Sequence, residues 1–324
     1  MTTVRHEATI PVAAAGRRFD QTLAEMFPDY SRSRLTGWIK EGKVLLDGAK
    51  VPPRHLVRGD EKVDLEAELE NEVDAQAEDI PMDIRYEDDD LMVIEKPVGL
   101  VVHPGAGNSA GTLLNALLHH SAAQAELPRG GIVHRLDKDT AGLMVVAKSI
   151  AAHTSLVSML SRHDVHRQYE AVVLGTMVAG GTADEPLGRH QHDRLKQGVR
   201  DVEDGGKEAV THYRVRERFR SHSVIQCNLE TGRTHQIRVH MAHLGHPLVG
   251  DQLYGNGLRL PRGASQELAD ALRGFRRQAL HAENLAFAHP ITGEPLSFDS
   301  PRPADQEALI QALRADTLLH PIED

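Results

Sequence analysis

The chain is predicted to fold as an α+β protein of two units, and three features of its 324 residues point there. Residues 16–65 carry apolar side chains at helical spacing, then short apolar runs around Asp47-Gly48. Residues 64–90 hold 13 acids and one base, Arg85, a composition break where a domain boundary belongs. From Asp90 onward, short Val- and Ile-rich runs interleave with helical segments without strict alternation, which favours an α+β sheet over a doubly wound parallel one. The length agrees with two units of roughly 150 residues each.

In the N-terminal unit, Phe19, Leu23, Met26 and Phe27 recur on one helical face. Ser31 is placed to cap a second helix, RSRLTGWIKE, stopped by Gly42. Leu35, Trp38 and Ile39 form its buried face, while Arg32, Arg34 and Lys40 stay in water. KVLLDGAKV reads as a hairpin whose Asp47-Gly48 turn supplies the positive φ angles.

The net charge of −10 taken whole argues against a nucleic-acid partner, but the charge is local. Outside residues 64–90 the chain carries 36 bases and 34 acids, and the first 63 residues hold 11 bases against eight acids. The acidic run reads as a solvated linker or an exposed strand edge. The basic face of the second helix reads equally as incidental surface or as a grip on RNA. With 40% hydrophobic and 26% charged residues, wholesale disorder is excluded. The single Cys227 excludes an internal disulfide framework or a cysteine-rich zinc site and fits a reducing compartment. No run approaches the ~18 apolar residues of a membrane span, and the start lacks the apolar core of a secretory signal, so a cytoplasmic location is expected.

Beyond Asp90, strands are expected at LMVIEKP, GLVVHP, Ile132-Val133, residues 143–147, YEAVVLG and HSVIQCNLETGRTHQIRVHMA. Helices are expected at TLLNALLHHSA, SIAAHTSLVSMLSR and QELADALRGF. Two polar clusters interrupt the apolar runs. The first, His134 to Thr140 (HRLDKDT), sits between two apolar segments. Buried strands do not hold unpaired charge, so its groups either pair with one another as a strand cap or face a ligand. The second is TGRTHQIRVH, residues 231–240. Read as a strand, it puts Arg233, His235, Ile237 and Val239 on one face and Thr234, Gln236, Arg238 and His240 on the other. Arg238 is then a candidate partner for Asp137, keeping that carboxylate ionised in a closed pocket.

GGIVHRLDKDTAGLMVVAKS, RQYEAVVLG, GKEAVTHYRV, ETGRTHQIRVHMAHLGHPLVGDQLYG and RQALHAENLAFAHPITGEPLSF together resemble the RluA-type RNA pseudouridine synthases, over residues 16–315. SRSRL, WIKEG and the DG turn resemble the small S4-type RNA-binding module. Ala141 stands where that family usually has Ser or Thr, a side chain that is not catalytic there. The resemblance implies an S4-like module at 1–65 (core 16–65), an acidic linker at 66–85 and a catalytic domain at 86–324 with a mixed, mainly antiparallel central sheet. It implies site-specific isomerisation of uridine to pseudouridine, without cofactor or metal, in ribosomal RNA or a pre-large ribosomal subunit (helix 69 region), by a monomer. A relative acting on transfer RNA and a non-catalytic RNA-binding factor are the alternatives.

Residue roles follow from the same resemblance. Asp137 is the essential aspartate, attacking the anomeric carbon or removing a sugar proton. Tyr169 stacks on the uracil and helps remove its carbon-5 proton, and Arg238, or else Arg233, pairs with the aspartate. Arg135 fills the space left by the flipped nucleotide, Ile237 and His134 wall the substrate pocket, and Arg32, Arg34, Lys40 and Lys43 contact phosphates. Histidines 240, 243 and 246, with His134 and His235, raise a zinc-hydrolase reading. Against it, Gly245 and Pro247 break any helix there and no HExxH pattern occurs.

Overall fold

The computed structural model describes residues 2–27, 30, 32–69, 75–105, 107–191, 193, 195–255 and 257–320; Ser31, the expected cap, lies outside them. The N-terminal unit comprises β1 (Thr2–Thr9), α1 (Phe19–Met26), α2 (Arg32–Glu41), β2 (Val44–Leu46) and β3 (Lys62–Leu69), with sheet order β1-β3-β2. Phe19, Leu23, Leu35, Trp38 and Ile39 pack on Val63 and Leu65, so the helical faces read from spacing are the ones buried. Asp47 (φ 49°) and Gly48 (φ 74°) make the expected turn. The hairpin around it does not form: Ala49 adds a single bridge to Leu46, and β2 pairs instead with β3, Val44 opposite Leu65. Pro52-Pro53 removes the donors a second strand would need.

The second unit holds β4 (Asp83–Glu87), β5 (Leu91–Lys96), α3 (Leu113–His120), β6 (Ala141–Ala147), α4 (Ile150–Ser161), β7 (His166–Leu174), β8 (Gly181–Asp184), β9 (Leu187–Arg189), β10 (Gln197–Val199), β11 (Val210–Arg218), β12 (His222–Leu229), α5 (Gln236–His243), α6 (Gln266–Gly274), β13 (Leu280–Ala288), β14 (Pro295–Asp299) and α7 (Ala304–Leu319). Its main sheet runs β4-β5-β6-β13-β7-β12-β11-β8, with β14 on β13. Among the described residues only β6 and β13 pair in parallel within it, so the mixed, mainly antiparallel sheet of an α+β protein is what forms. Helices α3 and α5 pack on one face; α4, α6 and α7 cover the other. Helix α7 has no counterpart in the sequence expectation.

The parallel pair is short: His281 faces Ala141 and Ala282 faces Gly142, and there the two strands part. A Cβ on Gly142 (φ +121°) would lie 2.2 Å from the Ala282 carbonyl oxygen, so the contact demands glycine. The edge of β6 freed beyond Gly142 is taken by the segment that leads into the first polar cluster, through a bridge from Ile132 to Val146.

Three expected strands are corrected. GLVVHP is a turn with one bridge, Val101 to Thr112, and Ile132 likewise makes only a bridge. QIRVHMAH is helix α5, not strand. Its apolar residues alternate (Ile237, Val239, Met241), but residues 236–241 are all buried, so no exposed stripe marks the helical period. The stretch expected as an acidic linker, 66–85, is strand at both ends. Asp64 and Glu66 are exposed on a central strand, β3, whose alternate residues Val63, Leu65 and Ala67 are buried. Further along, Glu78 N–H donates to the Asn115 carbonyl (3.0 Å) and the Asn115 amide donates to the Gln76 carbonyl (2.7 Å), fastening that part to α3.

Candidate active site

A cavity of about 380 Å³ opens where the loop 134–140, the start of β7 and the start of α5 meet, a size suited to one nucleoside-like ligand. Asp137, Tyr169, Arg135, Arg238, Ile237 and His134 all line it, although Asp137 and Arg238 lie 101 residues apart in the chain. The four N-terminal basic residues are elsewhere. Arg32 pairs with Asp20 (2.8 Å), Lys43 with Glu41 (2.8 Å), Arg34 lies over the Trp38 ring at 5.9 Å, and Lys40 is exposed on α2.

The loop is held by its backbone carbonyls, the His134 ring and the Thr140 hydroxyl, which leaves its charged side chains for other work. His134 Nε2 accepts the Val145 N–H (3.1 Å) on the freed edge of β6. Lys96, at the end of β5 and fully buried, donates to the carbonyls of Pro97 (2.8 Å), Leu100 (2.9 Å) and Lys138 (3.0 Å). Arg277 donates to the Asp139 carbonyl (3.4 Å), and Gln278 donates to the Thr140 hydroxyl (3.0 Å). Burial lowers the Lys96 ammonium to about 7, against the pull of Asp137 and Asp139. Burial also lowers the His134 imidazole to about 3, so it is neutral and free to accept.

Asp137 Oδ2 accepts from Arg238 Nη1 at 2.8 Å. The same guanidinium reaches Asp251 through Nε (2.7 Å) and Nη2 (2.9 Å), a bidentate pair, and lies 5.0 Å from the Tyr254 ring centroid. Asp251 is anchored in turn: its Oδ1 accepts the backbone N–H groups of Leu253 (2.9 Å) and Tyr254 (3.0 Å). Burial works to raise its pKa, and the hydrogen bonds from Arg238 and the backbone outweigh it and hold the carboxyl below its ordinary range. The Asp251 side chain is 0% exposed and that of Asp137 is 15% exposed, so one carboxylate is an anchor and the other faces the cavity. Among the described residues no hydrogen bond reaches Asp137 Oδ1; its nearest ion-pair neighbour is His235 Nε2, at 3.8 Å. Burial lowers the pKa of His235, and its Nδ1 is within 2.8 Å of the Tyr254 hydroxyl.

Helix α5 starts where it does because Gln236 ties down the turn before it. Its Oε1 accepts from the Thr231 hydroxyl (2.7 Å) and the Arg233 N–H (2.9 Å), and its Nε2 donates to the Val210 carbonyl (2.9 Å) and the Thr211 hydroxyl (3.0 Å). This directs Arg238 at Asp137 and leaves Arg233 donating to the Glu208 carbonyl (2.8 Å). Tyr169 is buried on β7 and Arg135 is exposed beside the cavity. Asp251, Tyr254, Gln236, Lys96 and Arg167 were not singled out from the sequence. A buried lysine ending the LMVIEK strand and the acid inside GDQLYG were the signals available. His240 has both ring nitrogens engaged, with the Thr211 hydroxyl (2.9 Å) and the Glu185 carbonyl (3.0 Å). His246 Nδ1 is 2.8 Å from the Leu174 carbonyl. No group of three or more metal-ligating side chains occurs among the described residues.

The family model for RNA pseudouridylate synthase matches residues 90–243, and that for the S4 domain matches residues 17–63. The ribosomal large subunit pseudouridine synthase D of Xanthomonas campestris pv. campestris is 58% identical over 311 residues, covering 96% of this chain and 93% of that protein. The protein of the same name from Vibrio cholerae is 53% identical over 317 residues, covering 98% and 97%. Among solved structures, human RNA pseudouridylate synthase domain containing 4 superposes with a TM-score of 0.56 at 27% identity, covering 72% of this chain and 93% of that one. The family model spans the loop of Asp137 and the turn before α5, the similarity to the relatives covers nearly the full length, and the chain belongs to the RNA pseudouridylate synthase family, isomerases of uridine in RNA.

Proposed function

We propose that the chain converts uridine to pseudouridine at defined positions of large-subunit ribosomal RNA, in the helix 69 region, as a cytoplasmic monomer, with Asp137 as its essential carboxylate. The observation that carries the reading is the chain Asp137–Arg238–Asp251, which presents one carboxylate oxygen to a cavity of nucleoside size. The names of the relatives, which act on the ribosomal large subunit, support the target.

The target uridine leaves its stack, at a cost of a few kcal/mol, and enters the cavity while Arg135 at the mouth takes its place. Tyr169 stacks on the uracil. Asp137 Oδ1, left free by Arg238, attacks C1′ or removes the C2′ proton, and either route expels the uracil. Leu136, Ile237 and Leu280 line the cavity and keep water from the sugar. The uracil then turns and C5 bonds to C1′. The N-terminal unit, residues 1–69, holds flanking RNA phosphates through Arg32, Arg34, Lys40 and Lys43, contacts that position without specifying sequence.

Asp137→Asn is expected to fold, to bind RNA within about threefold of wild type, and to form no pseudouridine in single-turnover assays. Substantial product from this variant would sink the reading. Mapping pseudouridine in ribosomal and transfer RNA from cells lacking the gene tests the target: loss confined to transfer RNA would move the substrate there.

A further inference from the structure

A second cation lines the cavity without the kind of partner that holds Arg238. Arg167 is 7% exposed, two residues before Tyr169 on β7, and strand alternation turns both side chains to the same face. Its Nη2 donates to the Glu230 carbonyl at 3.1 Å, its Nε is buried with no partner, and no carboxylate lies within 4.0 Å of it among the described residues. A buried guanidinium lacking an anion is costly unless a ligand supplies one. The protein also makes room for it: a Cβ on Gly232 would stand 2.6 Å from Arg167 Nη1, so the glycine of the TGR turn is what lets the guanidinium lie there.

We propose that Arg167 donates hydrogen bonds to the uracil ring while it is detached from the sugar, carrying the negative charge that the ring then holds. The proposal rests on the reaction assigned above and deepens it. When the C1′–N1 bond breaks, its electron pair goes to the uracil, where it is shared among N1, O2 and O4. Both routes open to Asp137 expel this same anion. When C5 bonds to C1′, the Asp137–C1′ bond breaks on the first route, or Asp137 returns the proton to C2′ on the second. The ring's electrons form the new carbon–carbon bond, the C5 proton leaves, and N1 takes up a proton, so the product is an isomer of the substrate. A guanidinium fixed beside Tyr169 in the wall of the cavity meets that charge as it forms. A phosphate is the other anion RNA could offer, but phosphates stay with the backbone at the mouth, where Arg129 and Arg135 are exposed.

The test uses the full chain and an RNA fragment carrying the target uridine, or 5-fluorouridine in its place, under single turnover. Fluorine withdraws electrons and stabilises the detached anion without help, and because it replaces the C5 proton that must leave, the rate read on both RNAs is that of C1′–N1 cleavage. Arg167→Met is expected to lose about 100-fold in rate on the uridine RNA with Kd within about threefold, and the loss on the 5-fluorouridine RNA is expected to be at least about tenfold smaller. Arg167→Lys, which keeps the charge, and Gly232→Ala, which displaces the guanidinium, are expected to show smaller losses with the same dependence on fluorine; they carry the test if Arg167→Met does not fold. Equal losses on both RNAs would mean a structural role and overturn the proposal. Weakened Kd with an unchanged rate and a salt slope reduced by about one would mean a phosphate contact and overturn it too. Failure of the underlying reaction is read separately, as product formed by Asp137→Asn.

Discussion

Arg238 is a buried cation between two carboxylates with different duties, and their exposure says what each removal does. Asp251 has a fully buried side chain and satisfies two of the guanidinium's three donor positions together with two backbone N–H groups. Asp251→Ala leaves that cation with one partner and is expected to destabilise the protein by about 3 kcal/mol, measured by urea denaturation, and to abolish turnover as Arg238 swings away from Asp137. Asp137→Asn, at the cavity wall, is expected to change stability by less than about 1 kcal/mol while removing activity. Individual residues were unevenly legible. Asp137 and Arg238 stand in polar clusters that are odd for their apolar surroundings, Tyr169 and Arg135 were marked only by the family resemblance, and the cavity brings all four together. Asp251, Gln236 and Lys96 were much less legible, because the side-chain and backbone partners that give them their roles are assembled only by the fold.

At the scale of elements, the loop 134–140 acts as a strand substitute: it closes the edge of β6 that β13 abandons, through the Ile132 bridge and the His134 ring. That latch requires a neutral imidazole. Burial holds His134 at about 3 in the folded chain, whereas an unfolded histidine titrates near 6.5. Between those values the unfolded chain binds the extra proton, so stability falls as pH drops below about 6.5 and does not depend on this group above about 7. His134→Gln, whose side-chain oxygen can still accept the Val145 N–H, is expected to flatten the decline between pH 6.5 and 5.5 by roughly 1 kcal/mol, read as the difference in urea midpoints from wild type. A matching decline in the variant would show that other groups account for it. Helices α4 and α6 were legible from their spacing, since each buries one face, whereas α3, with residues 113–118 all buried, was legible from its Leu- and Ala-rich composition rather than from a stripe. Helix α5 was not: buried nearly all round and alternating in its apolar residues, it carries a strand's pattern, and the tie that makes it a helix is the tertiary bonding of Gln236.

For the whole molecule, the charge of −10 is concentrated at the junction of the two units. The N-terminal unit has its own apolar core, and we expect a chain beginning at residue 75 to keep its catalytic fold and its single-turnover rate at saturating RNA. Its affinity should fall at least about tenfold, with a shallower dependence on salt as phosphate contacts are lost. Unfolding of the shortened chain, followed by circular dichroism, would contradict that independence. The order of strands has one more consequence. Strand β13 lies between β6, which follows Asp137, and β7, which bears Tyr169, yet it is made of residues 280–288 of 324. A growing chain therefore cannot join the two sides of its sheet until that strand has been synthesised, long after every candidate catalytic residue has been added. Nascent protein is therefore expected to stay inactive on RNA until almost its full length has left the ribosome.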